Sequence, residues 1–138
     1  MKRATRAVAL AALSSLILGG LACMDIGDPI GSGPATVSLV TPNTTDRAIL
    51  VAITGPGIEE IKPASSGYTV HWKLVSDHEA RVVIFGSLWD GPMFTMTVPD
   101  RQDLAGYSGT VLQVSDNYND LRGSTEEYEV TIAASDAN

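Results

Sequence analysis

The chain has 138 residues, 44% of them hydrophobic, with nine basic and sixteen acidic side chains for a formal net charge of −7. That balance argues against a sequence-independent grip on nucleic acid or on anionic lipid headgroups, since both draw on clusters of Lys and Arg. A single cysteine cannot form an internal disulfide, and the length suits one domain rather than several.

The chain opens on Lys2, Arg3 and Arg6, runs through apolar residues from Ala7 to Leu18, and reaches Cys23 through Gly19-Gly20-Leu21-Ala22. A basic start, an apolar middle and a small-residue approach, in that order, predict an export signal. The apolar run of 12 residues is short, because a bilayer-crossing helix needs roughly 20. The segment ending at Ala22-Cys23 resembles a bacterial lipoprotein signal with its lipobox, although Gly20 stands where that family favours Leu or another branched apolar residue. The resemblance implies that residues 1–22 are removed and that Cys23 becomes an acylated N-terminus. It also implies an outer-membrane address, since Met24 rather than Asp follows the cysteine. Two or three acyl chains, at roughly 0.8 kcal/mol per buried methylene, give stable membrane attachment where one chain does not. The alternative is an ordinary cleaved signal with an incidental cysteine, which would leave a lone thiol exposed in an exported chain.

After residue 23 the chain keeps 115 residues, all sixteen acidic side chains and six of the basic ones, a formal charge of −10. A domain of that length buries roughly two-thirds of the surface its unfolded chain exposes. Residues 23–34 carry Gly and Pro without any period, so they read as a lipidated start and flexible tether. A single domain is expected over 35–134, with a short tail over 135–138.

From Thr36 the hydrophobic period is two. Val37 and Leu39 alternate with Ser38, and Tyr68, Val70, Trp72 and Leu74 alternate with Thr69, His71 and Lys73. Phe94, Met96 and Val98 repeat the pattern, as do Tyr128, Val130 and Ile132. Such alternation predicts half-buried strands, whereas the nearly continuous apolar runs Ala48–Ile53 and Arg81–Phe85 predict strands in the middle of a sheet. Thr110–Ser115 adds a seventh strand, Ile58–Lys62 a short edge strand, and Asp100–Leu104 one helical turn. Gly-, Pro- and Asn-rich turns separate these runs. The expected fold is all-β, an antiparallel two-sheet sandwich of seven or eight strands.

Ala48 to Ile61, with its Gly55-Pro56-Gly57 turn and Ile58-Glu59-Glu60-Ile61, followed by Arg81–Gly86 and Met93–Val98, is similar to the strand order of cohesin-type modules. These are Ig-like sandwiches, so the resemblance implies a non-catalytic binding or scaffolding module. It covers about half of the mature chain and transfers no partner-binding residue.

Catalytic chemistry finds little footing. Nucleophilic catalysis needs a hydroxyl or thiol beside an oriented base, yet the chain has two histidines, His71 on a polar strand face and His78 in a turn, and no Gly-x-Ser-x-Gly elbow. A facing carboxylate pair that hydrolyses glycosides is the remaining enzymatic alternative, and it needs a cleft a small sandwich seldom forms. No enzymatic activity and no cofactor are expected. Ser115-Asp116-Asn117-Tyr118-Asn119-Asp120 is the one oxygen-rich loop, near Glu126 and Glu127. Asp116, Asn117, Asn119 and Asp120 would supply three or four of the six to eight oxygens calcium takes. Tyr118 breaks the EF-hand spacing, and a solvated turn is the preferred reading. Trp89, beside the Asp90-Gly91-Pro92 turn, is expected to fold back over the core; binding through Trp89 or Tyr118 is the second possibility. The expected partners are the membrane, through the lipid, and an envelope protein, with a polysaccharide as the alternative.

Overall fold

The computed structural model describes residues 31–136; the signal, Cys23 and the tether up to residue 30 lie outside the described residues. Eight strands follow in order: β1 (Gly33–Val40), β2 (Asp46–Thr54), β3 (Glu59–Pro63), β4 (Thr69–Ser76), β5 (Glu79–Phe85), β6 (Gly91–Val98), β7 (Ser108–Asp116) and β8 (Glu129–Ala134). They form two antiparallel four-stranded sheets, β3-β6-β1-β8 and β4-β5-β2-β7. The fold is the expected eight-stranded sandwich, with the apolar runs β2 and β5 at the centre of one sheet. β1 starts at Gly33, so the ladder takes in two residues expected to belong to the tether.

Period-two patterning supplies one wall of the core from each sheet. Ala35, Val37 and Leu39 of β1 and Met96 and Val98 of β6 face Ile49, Val51 and Ile53 of β2 and Ala80, Val82 and Ile84 of β5, all essentially buried. Strict alternation fails at three bulges, where an extra residue changes the phase. Between Val37 and Ser38 the register skips Met93, so Met93 and Phe94, neighbours in sequence, are both buried. Between Leu50 and Val51 it skips Leu112, so Val111 and Val114, three residues apart, both point inward. A third irregularity, between Asp46 and Ala48, puts the Asp46 side chain inside. Asp100–Leu104 forms turns instead of the expected helical turn: the Asp100 carboxylate accepts the Gln102 N–H, and the chain doubles back where Tyr107 N–H donates to Leu104 C=O.

The two sides of the sandwich are unlike. Where β7 and β8 come together, a Cβ on Gly109 would sit 2.3 Å from Val130 Cγ1, so only glycine lets them approach that closely. On the other side the five-residue β3 packs sparsely on the eight-residue β4. Trp72 and Leu74 were expected to be half-buried; they share a face with buried Ala80 and Val82 but remain 37% and 50% exposed, because β3 does not cover them.

The ends of the sandwich are unlike too. At one pole the described chain enters and leaves: Arg101 N–H donates to Gly31 C=O at 3.5 Å, and Ser135 N–H donates to Pro34 C=O at 3.1 Å. The opposite pole, the length of β1 away or about 25 Å, carries the loops that follow β1, β3, β5 and β7.

Candidate functional site

The distal pole is organised around a carboxylate that sequence reasoning missed. Asp46 heads β2 and is 0% exposed, the one buried charged residue of the described chain. Burying a carboxylate is costly unless its oxygens are bonded, and here both are. Oδ2 accepts from the Tyr128 hydroxyl at 2.7 Å and the Thr41 hydroxyl at 3.0 Å. Oδ1 accepts from Arg122 Nε at 2.9 Å and has Arg122 Nη2 at an ion-pairing distance of 2.8 Å. Arg122 also donates to Thr45 Oγ1, and Asn43 Nδ2 donates to the Tyr128 hydroxyl at 2.8 Å. Asp46 therefore ties the loop after β1 to the start of β8 and to the loop after β7. With every oxygen committed and no solvent contact, it holds loops in place and offers no base to a substrate. The Asp at the head of an apolar run was visible in sequence; the bulge that turns it inward was not.

This cluster has a pH signature. Burial, and then the hydrogen bond to the Asp46 carboxylate, push the Tyr128 phenol above its ordinary value of 10.0. Burial also raises Tyr68 and Tyr107, the latter helped by the charges of Asp103 and Asp100. A phenol raised on folding stabilises the native state fully below its unfolded pKa near 10 and loses that contribution as pH climbs through the folded pKa. Melting temperature is expected to drop above pH 10, and Tyr128→Phe should make that alkaline limb shallower in pH-resolved thermal denaturation. An unchanged limb would mean Tyr128 does not carry the effect.

On one flank of the cluster lies the oxygen-rich loop. Asp116 Oδ1 accepts the backbone N–H groups of Tyr118 at 2.8 Å and Asp120 at 3.1 Å, and Asn119 takes a left-handed φ of 65°. Those two N–H groups, with a smaller pull from Arg122, hold the Asp116 carboxyl below its usual range. Its Oδ1 is thus spent on closing the turn and its Oδ2 lies 4.0 Å from Arg122 Nη1, while Asn117, Asn119 and Asp120 are exposed to solvent. Among the described residues no group of three or more His, Cys, Asp or Glu side chains converges as metal ligands. Tyr118, 76% exposed, stands at the tip of this loop.

On the other flank is a cleft of about 540 Å³ between the loop after β1 and the segment after β5, lined by Thr41, Asn43, Arg47, Ser87, Trp89 and Asp90 among others. Trp89 is tilted against the core residue Tyr68, ring centroids 5.3 Å apart, yet stays 51% exposed. It covers Tyr68 with one face and offers the rest of its indole to the cleft. Asp90 Oδ1 accepts the Thr41 N–H at 2.7 Å, which fixes the two walls relative to each other. Arg47 spends one N–H on the Asp46 carbonyl. The structure thus brings Trp89 and the Tyr118 loop to one pole, on opposite sides of Asp46. The histidines lie elsewhere: His71 is exposed on β4 with its ring edge-on to Phe85, and His78 sits in the turn after β4.

No protein family matches the chain, and neither a curated protein nor a solved structure matches it. Its described residues form an all-β two-sheet sandwich with a loop pole opposite the ends of the described chain.

Proposed function

We propose that this chain is a bacterial cell-envelope lipoprotein in which an acylated Cys23 and a short tether carry a non-catalytic β-sandwich that binds or scaffolds a protein, most plainly at the outer membrane. One observation supports this reading above the others: the described chain begins and ends at one pole, so a tether arriving at Gly31 leaves the loop pole and the sheet edges facing away from the anchor. The uncovered β4 edge favours a protein partner, because an open strand is a template for backbone pairing. Capture from envelope extract with the full chain as bait tests it. Specific recovery of one protein supports the proposal; recovery of nothing contradicts it.

A second reading, a carbohydrate-binding module, is favoured by the Trp89 cleft alone. Its volume falls in the range of small-ligand pockets, and it offers an aromatic surface beside a few oriented polar groups. The two readings part on a glycan array. Protein scaffolding predicts no saccharide bound above background, whereas a saccharide signal that Trp89→Ala abolishes would move the assignment to sugar.

A further inference from the structure

The sandwich has four sheet edges, and three of them are protected. β7 and β8 close on each other at Gly109. β3 is five residues long, ends in Pro63, and skips in register between Glu59 and Lys62; short length, proline and irregular pairing are devices that blunt an edge. β4 has none of the first two: it runs for eight residues, seven of them exposed, pairs with β5 from Thr69 to Leu74 without a break, and among the described residues has no hydrogen-bonded strand on its other side. Among the described residues nothing pairs with its backbone groups on that side, which makes them a template for an added strand.

The side chains say what kind of strand. On the inner face Trp72 and Leu74 are uncovered, so an added strand needs apolar residues at alternate positions. On the outer face Lys73 lies directly opposite Arg81, and His71 opposite Val83. Arg81 has Glu79 at 2.6 Å, but Lys73 has no carboxylate within ion-pairing distance among the described residues. These side chains rim a shallow groove of about 390 Å³ whose floor is Leu50 and Val83. In a mature chain of formal charge −10 this is a local reversal of sign. A second copy is a poor occupant. β4 contains no acidic residue, and antiparallel pairing about Trp72 would set Lys73 against His71.

We propose that the β4 edge receives an extended segment of another protein, with apolar and acidic residues alternating, which lengthens the sheet by one strand. This rests on the protein-binding reading and specifies its partner: apolar side chains cover Trp72 and Leu74, and carboxylates meet Lys73 and the unpaired edge of the groove.

The test uses labelled eight-residue peptides and the full chain, read by fluorescence polarisation. An alternating Val–Glu peptide is expected to bind, and a Val–Lys peptide to bind about tenfold more weakly. Lys73→Glu, a change at an exposed position, should remove or reverse that preference. A Val–Glu peptide N-methylated at alternate amides should lose binding, because backbone pairing fails while its side chains are unchanged. No Val–Glu binding up to millimolar concentration, equal binding of both charges, or undiminished binding after N-methylation would overturn the proposal. Concentration-dependent dimerisation that the peptide reverses would give the edge to a second copy and overturn it too. Wild type and Lys73→Glu used as baits on envelope extract separate the two levels: a protein captured equally by both removes the edge proposal and leaves protein binding standing, whereas no protein captured by either removes protein binding itself.

Discussion

Asp46→Ala is expected to destabilise the domain by about 3 kcal/mol, at the lower end of what breaking a buried ion pair costs, and to lower its melting temperature on the order of 10–15 °C. The carboxylate is fully buried, accepts three hydrogen bonds from three side chains, and has a second guanidinium nitrogen at ion-pairing distance. Its removal leaves the Tyr128 and Thr41 hydroxyls without their acceptor and strips Arg122 of its closest counter-charge. The cost is held to the lower end because Arg122 is partly exposed and keeps Thr45 and Asp116 nearby. Tyr128→Phe removes one bond and should cost about 1 kcal/mol. Urea denaturation of both variants checks this. A loss below about 1 kcal/mol for Asp46→Ala would show that the β1–β2 and β7–β8 loops hold together without the carboxylate.

If the proposed lipoprotein reading holds, Cys23→Ser should move the chain from the membrane fraction to the soluble fraction nearly completely, since serine cannot take the thioether-linked lipid. At roughly 0.8 kcal/mol per buried methylene, two acyl chains hold a protein far more firmly than tether and domain contacts with a headgroup layer, and a mature charge of −10 adds repulsion from anionic lipid. Folding should be untouched, because position 23 lies ten residues ahead of Gly33, where the first strand begins. Equal membrane recovery of wild type and Cys23→Ser would remove lipidation as the means of attachment.

Much of the fold was legible because a sandwich writes itself as period-two alternation, and the strands around Val37, Phe94 and Val130 stand where that pattern places them. β2 and β5 lie centrally in their sheet, with a strand on either side, yet only their inner faces join the core: Leu50 and Val83 on the outer face stay partly exposed, so the continuous apolar runs mark central strands rather than strands covered on both faces. What alternation cannot carry is its own interruption. The burial of both Met93 and Phe94, and of Asp46 ahead of Ile49, depends on bulges fixed by partner strands far away in sequence. Trp72 and Leu74 have an inward pattern and an exposed outcome because whether an edge is covered depends on the length of the strand across from it, here the short β3. The candidate site was legible in part. Trp89 and the Asp116–Asp120 loop were singled out from their residue types, but their shared pole and the Asp46–Arg122–Tyr128 clamp between them exist only once the sheets have paired.

The measurement closest to the centre of this account is the intact mass of the wild-type chain recovered from the cells that make it. The expected result is a membrane-fraction species lacking residues 1–22 and carrying the added mass of two or three acyl chains on Cys23. An unprocessed chain of 138 residues in the soluble cytosolic fraction, with no acyl mass, would contradict it.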